Sequence, residues 1–321
     1  MPYDTVSTSN PDLLPVEWSR QVIKEMQESS AVLGLSRRLT MSTRTQVLPA
    51  SSALARAYWV GGTDSTGLKQ TTKNEWKGVY LRVEELACLV AIPHAHMDDN
   101  AFPVWEETRP SLVEAMGATL DAAVLFGVDK PLSWPGPIYQ SSVLAGNNTV
   151  FPTGDDLAQD ISESARKLRR QDGYRTTGFA VEPGLQWELV GLRDAQGQPI
   201  YQTNLPGAIS TGIYGFPLLE AGNGAWDIDE AKIIQGDWSK SIVGIRQDIT
   251  FTRHDSGVIN DDAGVVVYNA MQQDSTIWRA VMRVAWATAN PQTRIAQAGG
   301  LTDQQRYPFW VIQNGSTYDY S

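Results

Sequence analysis

Hydrophobic positions recur one helical turn apart at Leu112, Met116, Leu120 and Val124, forming a single stripe. The spacing predicts one long helix from Val104 to Phe126, a rod of roughly 35 Å at about 1.5 Å per residue. Pro110 suits its first turn after Thr108 or else marks a kink, and Gly127 supplies a C-terminal stop. Strict alternation replaces that period at Gly78–Val83, where Val79, Leu81 and Val83 share one strand face. Just upstream, Ala55–Val60 is rich in aromatic and β-branched residues and predicts a second strand. Between the two strands, residues 61–77 offer only Leu68 and Trp76 as clear hydrophobes. Hairpin loops usually take about two to five residues. An excursion this long and polar cannot bury itself, so its ordering must come from a partner or not at all.

Elsewhere the pattern is mixed. Residues 1–15 are polar and carry Pro2, Pro11 and Pro15, which reads as an extended arm that needs another surface to order it. A helical pattern follows from Val16 to Leu39, with Val22, Ile23, Met26, Leu33 and Leu35 as buried candidates, and Met41–Pro49 looks extended. A Pro- and Gly-rich segment, Lys130–Pro137, leads to a second region. There Thr153 and Asp156 resemble a capping box before a helix that turns Leu157, Ile161, Ala165 and Leu168 inward. Phe179–Glu182 predicts a strand, Leu185–Leu192 a helix and residues 194–197 a turn. Further strands are expected at Ala231–Gln235, Ile242–Phe251, Val265–Val267, Arg283–Thr288 and Phe309–Ile312. Helices and strands mix without regular βαβ alternation, which predicts an α+β fold.

Composition narrows the function classes. The 321 residues are enough for one large or two linked domains. With 36 acidic against 26 basic residues, the net charge of −10 repels nucleic acid and acidic membranes rather than seeking them. The one short basic run, Arg166 to Arg170, reads as the solvated face of a helix. Cys88 stands alone, which excludes an intrachain disulfide and a cysteine-based zinc site. It sits in the apolar run Leu86–Val90 and reads as a small buried hydrophobe. Met1–Asn10 lacks an apolar signal-peptide region, and no stretch approaches the roughly 20 apolar residues of a membrane span. A soluble protein made in a reducing compartment, with no membrane partner, is therefore expected.

A search for chemistry returns little. There is no phosphate-binding loop, and Gly222-Asn223-Gly224 lacks the third glycine of a dinucleotide fingerprint. Gly207–Gly212 has the wrong spacing for a nucleophile elbow around Ser210, and with three histidines in the chain His254 is its one conceivable base. The best metal candidate is His94 and His96 with Asp98 and Asp99; on a strand the two imidazoles would share a side. The blander alternative is a surface turn with an aspartate capping the long helix. No pair of carboxylates is singled out for acid–base work. A chain of this size without a constellation points to a structural role, with no cofactor and no metal.

Several ordered stretches carry a resemblance. Val32–Arg38 leads into the extended segment, and Ala57-Tyr58-Trp59-Val60-Gly61-Gly62 opens the excursion. Leu189–Gly197 precedes a strand, Gly236-Asp237-Trp238 leads into Ile242–Phe251, and Arg283–Pro291 holds a characteristic Arg-to-Pro spacing. In this order they resemble the major capsid proteins of tailed bacteriophages, the Hong Kong ninety-seven type fold, over nearly the whole chain.

The resemblance implies roles for the segments. Residues 1–30 correspond to an N-arm, 31–54 to the first part of a P domain, and 55–82 to an extended β-hairpin E-loop. Residues 83–134 continue the P domain with its spine helix, marked by Leu112, Met116, Leu120 and Val124. Residues 135–264 correspond to an A domain, 265–282 return through the P domain, and 283–321 form a C-terminal part in the A domain. Contact with a neighbouring subunit is expected at Trp59, Gly61, Gly62, Leu68, Lys69, Lys73, Trp76 and Lys77. The resemblance further implies self-assembly through pentamers and hexamers into an icosahedral shell enclosing double-stranded DNA, in a virion assembled in the host cytoplasm. The short lead before the first helix implies a separate scaffolding protein; Met1 argues against a removed segment. A portal and a decoration protein are the other partners it suggests. Some relatives weld subunits through a Lys–Asn bond assisted by a glutamate, but Ala280, Val281 and Met282 stand before Arg283, so a non-covalent hold is expected. The rivals are an encapsulin-like nanocompartment shell, a metal-dependent enzyme using His94 and His96, and a minor tail or decoration protein.

Overall fold

The computed structural model describes residues 30–59, 71–95, 104–151, 157–191, 212–213, 215–261 and 263–315. Ser30 caps helix α1 (Ala31–Leu35), its hydroxyl accepting from the Leu33 amide. Strands β1 (Arg37–Thr40), β2 (Thr45–Ala53), β3 (Glu75–Arg82) and β4 (Glu84–Pro93) precede the long helix α2 (Val104–Leu125). Next come α3 (Ile138–Leu144), β5 (Asn148–Phe151), α4 (Leu157–Gln171), β6 (Gly178–Val181) and α5 (Leu185–Gly191). The short strands β7 (Gly212–Ile213), β8 (Phe216–Glu220) and β9 (Ile233–Gly236) lead to the long β10 (Ser241–His254). The chain ends with β11 (Val258–Asn260), β12 (Val266–Asn269), β13 (Ser275–Thr288), α6 (Arg294–Ala298) and β14 (Phe309–Asn314).

Two sheets organise these elements, together with the hairpins β2–β3 and β11–β12. A four-stranded sheet runs β1-β10-β13-β4 and a six-stranded sheet runs β5-β14-β9-β6-β8-β7. The stripe expected of α2 is fully realised: Leu112, Met116, Leu120 and Val124 are all buried, clustered with Val243 of β10 and Met282 and Val284 of β13. The helix ends where Gly127 takes φ 84°, a conformation that favours a residue without Cβ. A second cluster joins Leu157 and Ile161 of α4, Phe179 and Val181 of β6 and Leu185 of α5.

Several sequence expectations need correction. Among the described residues the first helix stops at Leu35, not Leu39, because β10 offers a ladder: Arg37–Thr40 pairs in parallel with Ile242–Ile245, and the Ser36 hydroxyl donates to that of Ser241. Of the strand expected at Ala55–Val60, Ala55–Trp59 is irregular and Val60 lies outside the described residues. The whole of β3 is matched by β2, from Thr45 opposite Arg82 to Ala53 opposite Glu75, so Ala55–Trp59 has no ladder left to join. The apolar run around Cys88 belongs to the full strand β4, where Cys88 is half-buried. Strand β13 runs from Ser275 to Thr288 and pairs with β10. That ladder runs from Ser241 opposite Thr288 to His254 opposite Ile277, and its mutual hydrogen bonds bind both strands into one sheet. The arm, the capping pair Thr153 and Asp156, the turn at 194–197, Ser210, and His96, Asp98 and Asp99 lie outside the described residues.

Candidate assembly surfaces

The β2–β3 hairpin buries one face against the body and exposes the other. Leu48, Val79 and Leu81 turn inward against Met41, Ile242 and Ala285. The outer face is also apolar: Val47 stands opposite Tyr80, and Ser51 opposite Trp76. Trp76 is 66% exposed and Tyr80 56%. Gly78 lies between them, where an added Cβ would stand 2.8 Å from Val47 Cγ1.

The hairpin leaves the body in a fixed direction because its root is tied to α6. The Gln292 amide donates to the Ser51 carbonyl across 2.7 Å, and Gln297 Nε2 to that of Leu54 across 2.6 Å. Arg294 donates to the Ala55 carbonyl, and Arg56 returns a bond to the Gln297 carbonyl at 2.9 Å. Lys77 Nζ lies 3.2 Å from Asp303, so its ammonium faces its own subunit. Beyond this root Trp59 is 97% exposed, and Lys73 meets only Glu75 at 3.8 Å among the ion pairs of the described residues. The structure thus brings Trp76 and Lys77 together on one hairpin; Gly61, Gly62, Leu68 and Lys69 lie outside the described residues.

One residue that sequence reasoning missed is Asp121, fully buried on α2. It accepts from the Ser30 hydroxyl at 2.6 Å, the Ala31 and Val32 amides at 3.0 and 3.1 Å, and Asn223 Nδ2 at 2.9 Å. Burial pushes its carboxyl above the ordinary aspartate range, and these donors pull it partly back. The available signal was a carboxylate beside Leu120 on the apolar face of the helix. A second buried charge is Lys232, whose Nζ lies 3.2 Å from Glu182 and 2.8 Å from Glu188 on α5.

Glu85, opposite Arg283 in the β4–β13 ladder, accepts from its Nε at 3.1 Å in an exposed pair. His94 Nε2 lies 3.5 Å from the Thr276 hydroxyl, which donates to Asp255. Among the described residues, no three histidine, cysteine or carboxylate side chains converge on a metal-sized point, and no helix is long and apolar enough to cross a membrane.

A model of the phage capsid family matches residues 11–293. Among solved structures, a chain of Microbacterium phage Oxtober96 is 34% identical, with a TM-score of 0.74 over 89% of this chain and 91% of that one. A chain of Mycobacterium phage Cain is 27% identical, with a TM-score of 0.76 over 90% and 91%. The capsid of a native GTA particle shares the fold alone, at 13% identity and a TM-score of 0.64 over 90% and 91%. No curated protein matches. The chain belongs to the phage capsid family, with the Hong Kong ninety-seven type fold, and is a structural major capsid subunit.

Proposed function

We propose that this subunit closes an icosahedral shell of pentamers and hexamers around double-stranded DNA by laying its β2–β3 hairpin, as an E-loop, on a neighbouring copy. The observation that carries this is the hairpin's second apolar face. Val47, Trp76 and Tyr80 gain nothing from water, and the inner face is already occupied. Aromatic side chains offer much contact area for little lost rotamer freedom, which suits them as anchors at an interface. The tie to α6 pre-orients the arm, which lowers the ordering cost of each contact.

The hold is non-covalent and built from many modest contacts, which permits correction of misplaced subunits during assembly. The excess of carboxylates suits a container that does not clamp its DNA. The role needs no catalytic centre or cofactor. A scaffolding protein, a portal and a decoration protein are the further partners, and assembly takes place in the host cytoplasm. Sedimentation of a Trp76→Ser, Tyr80→Ser double variant tests the proposal: a folded subunit that no longer forms large particles is expected, and particles of wild-type size and yield would refute it.

A further inference from the structure

An asparagine followed by glycine loses its side-chain amide readily, because the glycine nitrogen reaches the preceding side chain with no Cβ in the way. The chain holds two such pairs, Asn223-Gly224 and Asn314-Gly315. The turn between β8 and β9 surrounds the first of them with the groups this reaction needs.

Nδ2 of Asn223, the nitrogen that leaves, donates to Oδ2 of Asp121 across 2.9 Å. That carboxyl is fully buried, and burial strengthens its hold on a proton, which suits it to protonate a departing amine. Oδ1 of Asn223, where negative charge gathers during attack, accepts from the Ala225 amide at 3.2 Å. The attacking nitrogen belongs to Gly224, which is exposed at φ 78°. No hydrogen bond of the described residues engages its amide, and a Cβ there would meet nothing within 4 Å. Asn314 is held differently. Its Nδ2 donates to Glu182 at 3.3 Å and to the Ile228 carbonyl at 2.6 Å, and no donor among the described residues reaches its Oδ1. Lys232 pairs with Glu182, which favours the anion over the acid.

We infer that Asn223 is a self-modification site, at which the Gly224 nitrogen attacks Cγ and the side-chain amide leaves as ammonia with Asp121 as the acid. A bond forms between the Gly224 nitrogen and Cγ, and the Cγ–Nδ2 bond breaks. The Gly224 proton passes to solvent, the Asp121 carboxyl gives one to Nδ2, and solvent restores it. Water then opens the cyclic imide at either carbonyl, leaving aspartate or isoaspartate at 223. The product places a carboxylate where Asn223 had donated to Asp121, so a donor is lost and a like charge gained. Conversion therefore loosens the junction of α1, α2 and this turn as the subunit ages.

Peptide mapping by mass spectrometry of the full chain, held at neutral pH and sampled over days, tests it. Asn223 should convert to a mixture of aspartate and isoaspartate several-fold faster than Asn314. Asp121→Asn keeps an acceptor for Nδ2 but supplies no acid, and should slow conversion at 223 by roughly tenfold or more. Asn223→Asp, which makes one product directly, should unfold at lower urea than wild type at neutral pH. An Asn223 that stays intact, or converts no faster than Asn314, would overturn the inference even if the Asp121 variant fails to fold. Undiminished conversion in a folded Asp121→Asn would overturn the role of the acid, and an unchanged urea midpoint for Asn223→Asp the loosening.

Discussion

The Ser30 hydroxyl donates to Oδ1 of Asp121 across 2.6 Å, joining the cap of α1 to the C-terminal end of the long helix α2. The same carboxylate accepts from the next two backbone amides and from Asn223, so one buried group fixes three parts of the chain. Such a group holds position at an energetic cost, because its burial as an anion is unfavourable.

That cost sets a pH dependence. The native carboxyl of Asp121 titrates above its unfolded value of about 3.9. The folded state therefore binds the proton more readily, and this residue's contribution to stability is largest below that pH. It declines as pH rises through the raised native value. Asp121→Asn removes the titration, so wild type should lose ground to it as pH rises above about 4. Asp121→Ala leaves buried donors without an acceptor and should cost about 2–4 kcal/mol. Urea unfolding across pH measures both.

Lys232 carries a second pH dependence. Its Nζ sits between Glu182 and Glu188, with Glu182 almost as buried as the lysine. Burial raises Glu182's pKa and Lys232 opposes that rise. Lys232→Met leaves the carboxylate uncompensated and should destabilise by about 3–5 kcal/mol at neutral pH. The loss should shrink in acid, where Glu182 takes up a proton. Paired urea titrations at pH 7.5 and 4.5 would show it; an equal loss at both would contradict the assignment.

Two glycines should respond unequally to alanine. A Cβ at Gly236 would collide with the Pro308 carbonyl oxygen and stand 2.8 Å from Phe309 Cα, both backbone atoms where the paired strand β14 begins. At Gly244 the intruded atom is the thioether sulfur of Met41, which can swing away. Gly236→Ala should cost about 3 kcal/mol or more, and Gly244→Ala about 1 kcal/mol. Thermal unfolding of the two variants ranks them, and comparable losses would count against this packing.

Much of this was legible in the residues, for reasons that also explain the gaps. The stripe from Leu112 to Val124 and the alternation at Val79 and Leu81 are imposed by one buried face, which sequence records directly. Tyr58 and Trp59 have strand propensity, but propensity cannot report that the ladder of β3 is already filled by β2. Leu86–Val90 alternates between half-buried and exposed positions, yet all five residues are apolar, so its run shows no alternation in hydrophobicity. Asp121 was passed over because a lone carboxylate says nothing about donors ninety residues upstream. The family resemblance supplied the role of the excursion, which spacing alone had shown only to be unable to fold on itself.

That excursion carries the central claim, and electron microscopy tests it most directly. Particles purified from the full chain and from a variant lacking Gly62–Glu75 should differ completely. The full chain should give closed shells built of pentameric and hexameric units, and the deletion a soluble, folded subunit that closes none. Normal shells from the deletion would contradict the account, as would a full chain that stays monomeric at high concentration.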